Sequence, residues 1–166
     1  MQIKLCSLLL LLMSFSAFGG NTNIAVVDLK KVAAESKAGK DIEKQMKTIN
    51  NESKSDLLEL ESQIKSMESS KKTDLDTRKI EELQVMLYDM VREKKYKISE
   101  AYNKAIEKLN ENMKSIISNI CKKKKIDLVV PQDAVVYSNK NCEDITAEVI
   151  KELNKQCPEM SVNYKE

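Results

Sequence analysis

The chain has no histidine and no tryptophan, and its two phenylalanines, Phe15 and Phe18, lie within the first twenty residues. Without histidine, the side chain that most often serves as general base or metal ligand is missing. The carboxylates are spread along charged, helix-forming sequence, so neither a nucleophile with its base nor a set of metal ligands can be named. We therefore predict that the protein is not an enzyme, has no catalytic residue, and binds no cofactor or metal.

Glycine, proline and aromatic residues are scarce as well. The 166 residues include three glycines and two prolines, and aromatic residues make up 4% of the chain. A compact single-chain core has little to be built from at that composition. The 28 basic and 26 acidic residues are interleaved and leave a net charge of +2. This pattern is typical of long helices with a solvated surface.

The densest basic run is "CKKKK", at 121–125. Lysines at this place suit the C-terminal end of a helix, where cations complement the helix dipole. Nucleic-acid binding would need arginines and aromatic stacking partners, but the chain has only two arginines, Arg78 and Arg92. We therefore expect no nucleic-acid partner.

The N-terminus has the pattern of an export signal. "MQIK" supplies a basic start, "LCSLLLLLMSFSAF" an apolar run, and "AFG" at 17–19 the small residues that precede a cleavage site. We predict a signal peptide over 1–19, cleaved after Gly19. No later segment approaches the roughly 20 apolar residues of a membrane span, so we expect an exported, soluble mature protein.

Three cysteines follow the predicted signal: Cys121, Cys142 and Cys157. They allow at most one disulfide within the chain, and the alternative is that they are small buried residues. Cys142 and Cys157 flank a predicted helix whose ends lie on the order of 20 Å apart. A disulfide, if one forms, is therefore expected between Cys121 and either of the other two.

Apolar residues spaced alternately by three and four predict two long helices. "NIAVVDL", at 23–29, is a predicted strand whose Asp28 can cap the next helix. Each predicted helix has one narrow apolar stripe, called the seam below, interrupted by a polar residue at Ser53 and at Lys94. The seam comprises Ile42, Met46, Ile49, Leu57, Leu60, Ile64 and Met67, and then Ile80, Leu83, Leu87, Met90, Ile98, Tyr102, Ala105, Leu109, Met113, Ile116 and Ile120.

A polar turn, "SSKKTDLDT" at 69–77, separates the two helices and predicts an antiparallel hairpin. With the turn centred near Thr73, the two gaps in the seam should face each other. We assign 31–121 to this hairpin arm, with its tip near 70–77. Gly39 lies within helical sequence near the base of the arm, where we expect it to break or kink the first helix.

The remaining pieces, 20–30 and 122–160, are expected to form a small β/α body. "IDLVV" and "AVVYS" are predicted strands on either side of a "PQD" turn, and "NCEDITAEVIKEL" contains an amphipathic helix. A body this small rarely folds alone, so we predict that strands from several chains share one core. Its expected core residues are Ile24, Val26, Leu128, Val129, Val130, Val135, Val136 and Tyr137. The predicted fold class is α+β, mainly α.

"IAVVDLKKV", "ESKAGK", the long charged helices and "IDLVVPQDAVVYSNKNCEDITAEVIKEL" together resemble the Skp/OmpH family of periplasmic chaperones, over essentially the whole mature chain. The resemblance implies a jellyfish-like homotrimer, in which an intertwined β core carries three helical arms around a cavity. It also implies that unfolded outer-membrane proteins are held in that cavity without ATP and delivered for outer-membrane assembly. The alternative is a structural coiled-coil spacer in the periplasm without chaperone activity.

Candidate contacts with such clients, or with anionic lipid or lipopolysaccharide, lie on the arm. Methionine side chains adapt to varied apolar shapes, although their heptad spacing equally suits packing in the seam. The basic residues near the tip alternate with acidic ones, so a solvated turn is the other interpretation. The candidates are Met67, Lys71, Lys72, Arg78, Lys79, Met86 and Met90.

Overall fold

The computed structural model describes residues 22–70, 73–138 and 142–164; the predicted signal peptide and Lys71 and Lys72 lie outside the described residues. The chain is mainly helical with one small sheet, which confirms the predicted fold class. The elements in chain order are β1 (Ile24–Val27), α1 (Leu29–Glu35), α2 (Lys37–Ser70), α3 (Asp74–Lys124), β2 (Leu128–Pro131), a 3₁₀ turn (Gln132–Ala134), β3 (Glu143–Asp144) and α4 (Thr146–Gln156).

The sheet is parallel, with strand order β2-β1-β3. The central strand, β1, pairs Ile24 with Leu128 on one edge and Val26 with Asp144 on the other. A hydrogen bond from the Ile145 amide to the Val26 carbonyl, 3.0 Å long, continues the second edge into the start of α4.

The strand predicted at "AVVYS", 134–138, is wrong. After Pro131 the chain enters a 3₁₀ turn, and the side chain of Val136 is 100% exposed. The third strand of the sheet is instead β3. Both edges of β1 are already occupied by β2 and β3, so the apolar run at 135–137 does not pair with the central strand.

The corner between α1 and α2 also differs from the prediction. Asp28 caps α1 as expected, because its Oδ1 accepts a 2.8 Å hydrogen bond from the Lys31 amide. The break between the helices, however, lies at Ser36 and not at Gly39. A Cβ atom at Gly39 would come within 1.6 Å of the Ala33 carbonyl oxygen. Glycine is therefore required there by the close approach of two backbones, and not as a helix breaker.

Helices α2 and α3 form the predicted hairpin. With 34 and 51 residues, they are about 50 and 75 Å long at 1.5 Å per residue. Thr73 caps α3 in a capping box with Asp76, which explains why the second helix begins where it does. Lys122, Lys123 and Lys124 occupy its last turn, as the helix dipole favours.

The body packs α1 and α4 against one face of the sheet and against the base of the hairpin. Val32 of α1 and both Val149 and Leu153 of α4 have no exposed surface. The three cysteines are free and half-buried in this structure. Within 22–70, 73–138 and 142–164, no helix has the length and apolar character that crossing a bilayer would need.

Candidate functional site

The two polar gaps in the seam face each other, as predicted from their spacing. Ser53 and Lys94 line one cavity of about 410 Å³ between α2 and α3. Ser53 is buried, whereas Lys94 extends to the rim and forms an ion pair with Asp56. At this level an open groove lies beside the seam, so the two helices are less closely packed here than where apolar residues face each other.

A second opening lies lower on the same flank of the hairpin. This cavity of about 730 Å³ is bounded by α1, α2 and α3, and apolar side chains such as Ile42 and Ile106 form its floor. Met46, Asn50 and Tyr102 line both cavities, so the two form one continuous groove along the lower arm.

The candidate contact residues fall into two groups in the structure. Met67 and Met90 are half-buried in the seam, which matches the packing interpretation. The side chain of Met86 is 54% exposed, and Arg78 and Lys79 are exposed near the tip. No structure is described for Lys71 and Lys72.

The outer arm also exposes apolar and aromatic residues that the sequence analysis did not single out. Tyr88 and Tyr96 are each 69% exposed, and Val85 is 63% exposed. Their position could have identified them from the sequence: they lie outside the seam on α3, where most other solvent-facing residues are charged or polar. Others of this kind are Leu58, Leu75 and Val91.

Among the described residues, no helix covers one face of the sheet, and that face is apolar. Successive residues of a strand point to opposite faces, and Ala25 and Val27 are the buried residues of β1. Ile24 and its partner Leu128 are 39% and 49% exposed on the other face. The uncovered face, which we call the outer sheet face, comprises Ile24, Val26, Leu128 and Val130.

The remaining predicted core residues do not all share that face. Val129 pairs with the buried Ala25 and packs against the core of its own chain. Val135, Val136 and Tyr137 are exposed, the last by 84%, in the segment that follows the 3₁₀ turn. The sequence did not distinguish these positions, because a short Val-rich strand gives no clue to which of its faces the helices cover.

A lysine ties the end of the arm to the body. Lys124 Nζ lies 2.6 Å from Glu143 Oε1 and 2.6 Å from Glu148 Oε2. The hydrogen bonds to Glu143 and then to Glu148 raise the pKa of Lys124 to about 12. Next to it, hydrogen bonds from Thr146 lower the pKa of Asp144. These contacts fix β3 and the start of α4 against the last turn of α3.

Comparisons with known proteins agree with this architecture. The family model described as outer membrane protein (OmpH-like) matches residues 23–153. A solved structure of a candidate outer membrane chaperone (OmpH-like) from Caulobacter crescentus CB15 superposes with a TM-score of 0.70 at 15% sequence identity, covering 84% of this chain and 88% of that chain. At this identity the likeness shows the fold. No curated protein matches the chain.

Proposed function

Because the chain belongs to the OmpH-like family of outer membrane proteins, whose role is that of a chaperone, we propose that it is an ATP-independent holdase of the periplasm. It binds unfolded outer-membrane proteins between helical arms and delivers them for outer-membrane assembly. The observation that carries this proposal is a long hairpin arm with exposed apolar side chains, attached to a body with an uncovered apolar sheet face.

The arm provides many weak contacts. Exposed residues such as Tyr88, Tyr96 and Met86 are spread along α3 among charged side chains, so a client can be touched at many places without one deep pocket. The mature chain lacks Trp and Phe, which are frequent anchors of tight interfaces. Several arms around one client would compensate for the weakness of each single contact, because each later contact is made within the same complex. Arg78 and Lys79 are proposed to contact acidic clients or anionic lipid near the tip.

The outer sheet face is the proposed centre of a homotrimer. Ile24 and Leu128 would be shielded from water when copies of the body associate, and the exposed Val136 and Tyr137 lie in the segment that follows the edge strand and its 3₁₀ turn. In this assignment, 20–30 and 122–160 form the oligomeric body and 31–121 forms the arm. Export to the periplasm follows from the predicted signal peptide at 1–19.

Substitution at the outer sheet face tests the oligomer. Leu128→Asp places a charge on an exposed position of one chain, so the protomer should still fold while the assembly dissociates. Leu58→Asp is the matched control, since Leu58 is similarly exposed, at 53%, but lies on the arm. Light scattering should give a monomer mass for Leu128→Asp and a trimer mass for the control. A trimer mass for both would reject this interface.

Shortened arms test the holding function. Removing 56–69 together with 80–93 deletes two heptads from each helix and keeps the seam in register. The truncated protein should remain a trimer of correspondingly smaller mass but fail to prevent aggregation of a large unfolded β-barrel protein, without nucleotide. If it holds the large client at the same stoichiometry as the full chain, the arms are not the holding element. If the full chain itself prevents no aggregation, the spacer alternative is correct.

Salt dependence separates apolar from electrostatic holding. Basic and acidic residues are nearly balanced, so raising the salt concentration from about 50 to 500 mM should weaken holding by less than about tenfold. Screening removes exposed charge attractions and leaves apolar contacts. A larger loss would show that the basic tip carries most of the affinity.

A further inference from the structure

After α4 the chain does not leave the body but turns back along the arm. Cys157 ends the helix with an amide hydrogen bond of 2.8 Å to the Leu153 carbonyl, and Pro158 follows. The next residues lie along α2, where Met160 and Val162 are only 5% and 8% exposed. Both belong to the same buried cluster as the body core. We call residues 158–164 the strap.

One side chain of α2 binds the strap through both ends of its amide group. Gln45 Nε2 donates a 2.6 Å hydrogen bond to the Met160 carbonyl, and Gln45 Oε1 accepts a 2.9 Å hydrogen bond from the Val162 amide. The amide of Gln45 therefore pairs with the strap as a backbone peptide group of a neighbouring strand would. One turn before Gln45, Asp41 Oδ2 accepts a longer hydrogen bond, 3.4 Å, from the Met160 amide.

The strap continues along α2 beyond Gln45. Tyr164 is half-buried against the core cluster and lines a cavity of about 550 Å³ together with Ile49 and Glu52 of α2. The strap thus begins at the body, follows α2 for about three turns and ends beside Ile49 and Glu52.

We propose that the strap fixes the angle between arm and body, with Gln45 as the positioning residue. Apart from the strap, α2 is joined to the body at its lower end, through the corner at Ser36 and a 2.7 Å hydrogen bond from the Lys37 amide to Asn154 Oδ1. Helix α3 is joined to the body at its last turn, through the ion pairs of Lys124. A change of 10° in the tilt of a helix about 50 Å long moves its far end by about 9 Å. The contacts made by residues 158–164 therefore set how widely the arms open. This inference concerns the conformation of the chain and does not depend on what the arms hold.

The distance between two spin labels reports the angle between the arm and the body. With the native cysteines replaced by serine, labels are placed at Ser66→Cys near the end of α2 and at Ala147→Cys on α4, both exposed positions. Labelled chains are diluted with unlabelled ones so that each distance is within one chain. We expect a narrow distance distribution for the full chain and one at least twice as wide after removal of residues 158–166.

Gln45→Met tests the contribution of the two hydrogen bonds from Gln45 to the strap, since methionine has a similar length but cannot form them. It should widen the distribution and increase hydrogen exchange of the Val162 amide at least tenfold. Gln63→Met, at an exposed position higher on the same helix, is the control and should change neither.

Two results would overturn the proposal. Equal widths for the full chain and the truncated chain would show that the strap does not set the angle. A wider distribution for the truncated chain, with no change for Gln45→Met, would remove Gln45 from the mechanism. Where the truncated chain fails to fold, Gln45→Met alone decides, because an unchanged distribution then rejects the proposal.

Discussion

The body and the outer arm are both largely helical, but they are buried to very different degrees. In the body, Val32, Val149 and Leu153 have no exposed surface. Among the described residues from Leu57 to Val91, the buried apolar side chains are Ile64 and Ile80, each 6% exposed. The body encloses its core with a sheet, two short helices and the hairpin base, whereas two helices alone can bury one stripe each.

This difference indicates where the chain can change shape. Local opening costs least where few apolar groups are buried and most backbone lies next to solvent. The outer arm meets both conditions, and the cavity at Ser53 and Lys94 separates it from the strapped base. A fixed body with an adaptable arm agrees with the proposed holding of clients of different shapes.

The largest effect is expected from a cavity in the body. Leu153→Ala should lower the free energy of global unfolding by about 3 kcal/mol, since the removed side chain is fully buried. Ile64→Ala in the arm should cost about 2 kcal/mol, and only in local opening of the arm. Chemical denaturation and site-resolved hydrogen exchange distinguish the two. If the amides of the body lost the same protection against hydrogen exchange in both variants, the arm and the body would not differ in the way described above.

The corner at the base of the arm should be the next most sensitive place. Gly39→Ala forces the Ala33 carbonyl to move, because the added Cβ would lie within 1.6 Å of its oxygen. We expect a loss of about 2 kcal/mol in the free energy of unfolding, measured by denaturant titration. Ala34→Gly, an exposed position in α1, is the control and should cost about 1 kcal/mol from helix propensity. A Gly39→Ala protein as stable as the parent would reject the close approach of the backbones.

Filling the gap in the seam with an apolar side chain should bring the local stability of the arm closer to that of the body. Ser53→Leu adds apolar surface to the cavity of about 410 Å³ and should stabilise the arm by about 1 kcal/mol. The comparison variant is Ser55→Leu, on the exposed side of the same helix, where no gain is expected. Hydrogen exchange of α2 amides reports the effect. A similar gain for both leucines would show that helix propensity, and not the gap, is responsible.

The smallest effects are expected from pH, and they concern the body. The folded state raises the pKa of Lys124 from 10.5 to about 12, so its contribution is complete below pH 10.5 and is lost as pH rises through 12. Asp144 has a pKa below its ordinary 3.8, so its contribution is present above pH 3.8 and is lost as pH falls through the lowered value. Denaturant titrations at a series of pH values give the free energy of unfolding. Above pH 10.5 it should fall less steeply with pH for Lys124→Met than for the control Lys122→Met. The same dependence on pH in both variants would show that the ion pairs of Lys124 do not cause the loss of stability at alkaline pH.

Features that depend on interactions between a few neighbouring residues were predictable from the sequence. Asp28 as a helix cap, the polar turn before Thr73 and the lysines that end α3 all follow from interactions across three or four residues. The facing gaps at Ser53 and Lys94 followed from heptad counting, because an antiparallel hairpin relates the two helices by a simple reflection about its tip.

Contacts between distant segments were decided by the tertiary structure. The sequence favours "AVVYS" as a strand by its β-branched residues, yet β1 pairs with Glu143–Asp144, because strand pairing depends on which segment reaches the free edge and not on propensity alone. The close backbone approach at Gly39 and the double hydrogen bond of Gln45 to the strap join residues whose spacing forms no periodic pattern. The sequence by itself therefore determined the helices and the register of the arm, and the packed fold alone determined which face of the sheet is uncovered and what holds the arm to the body.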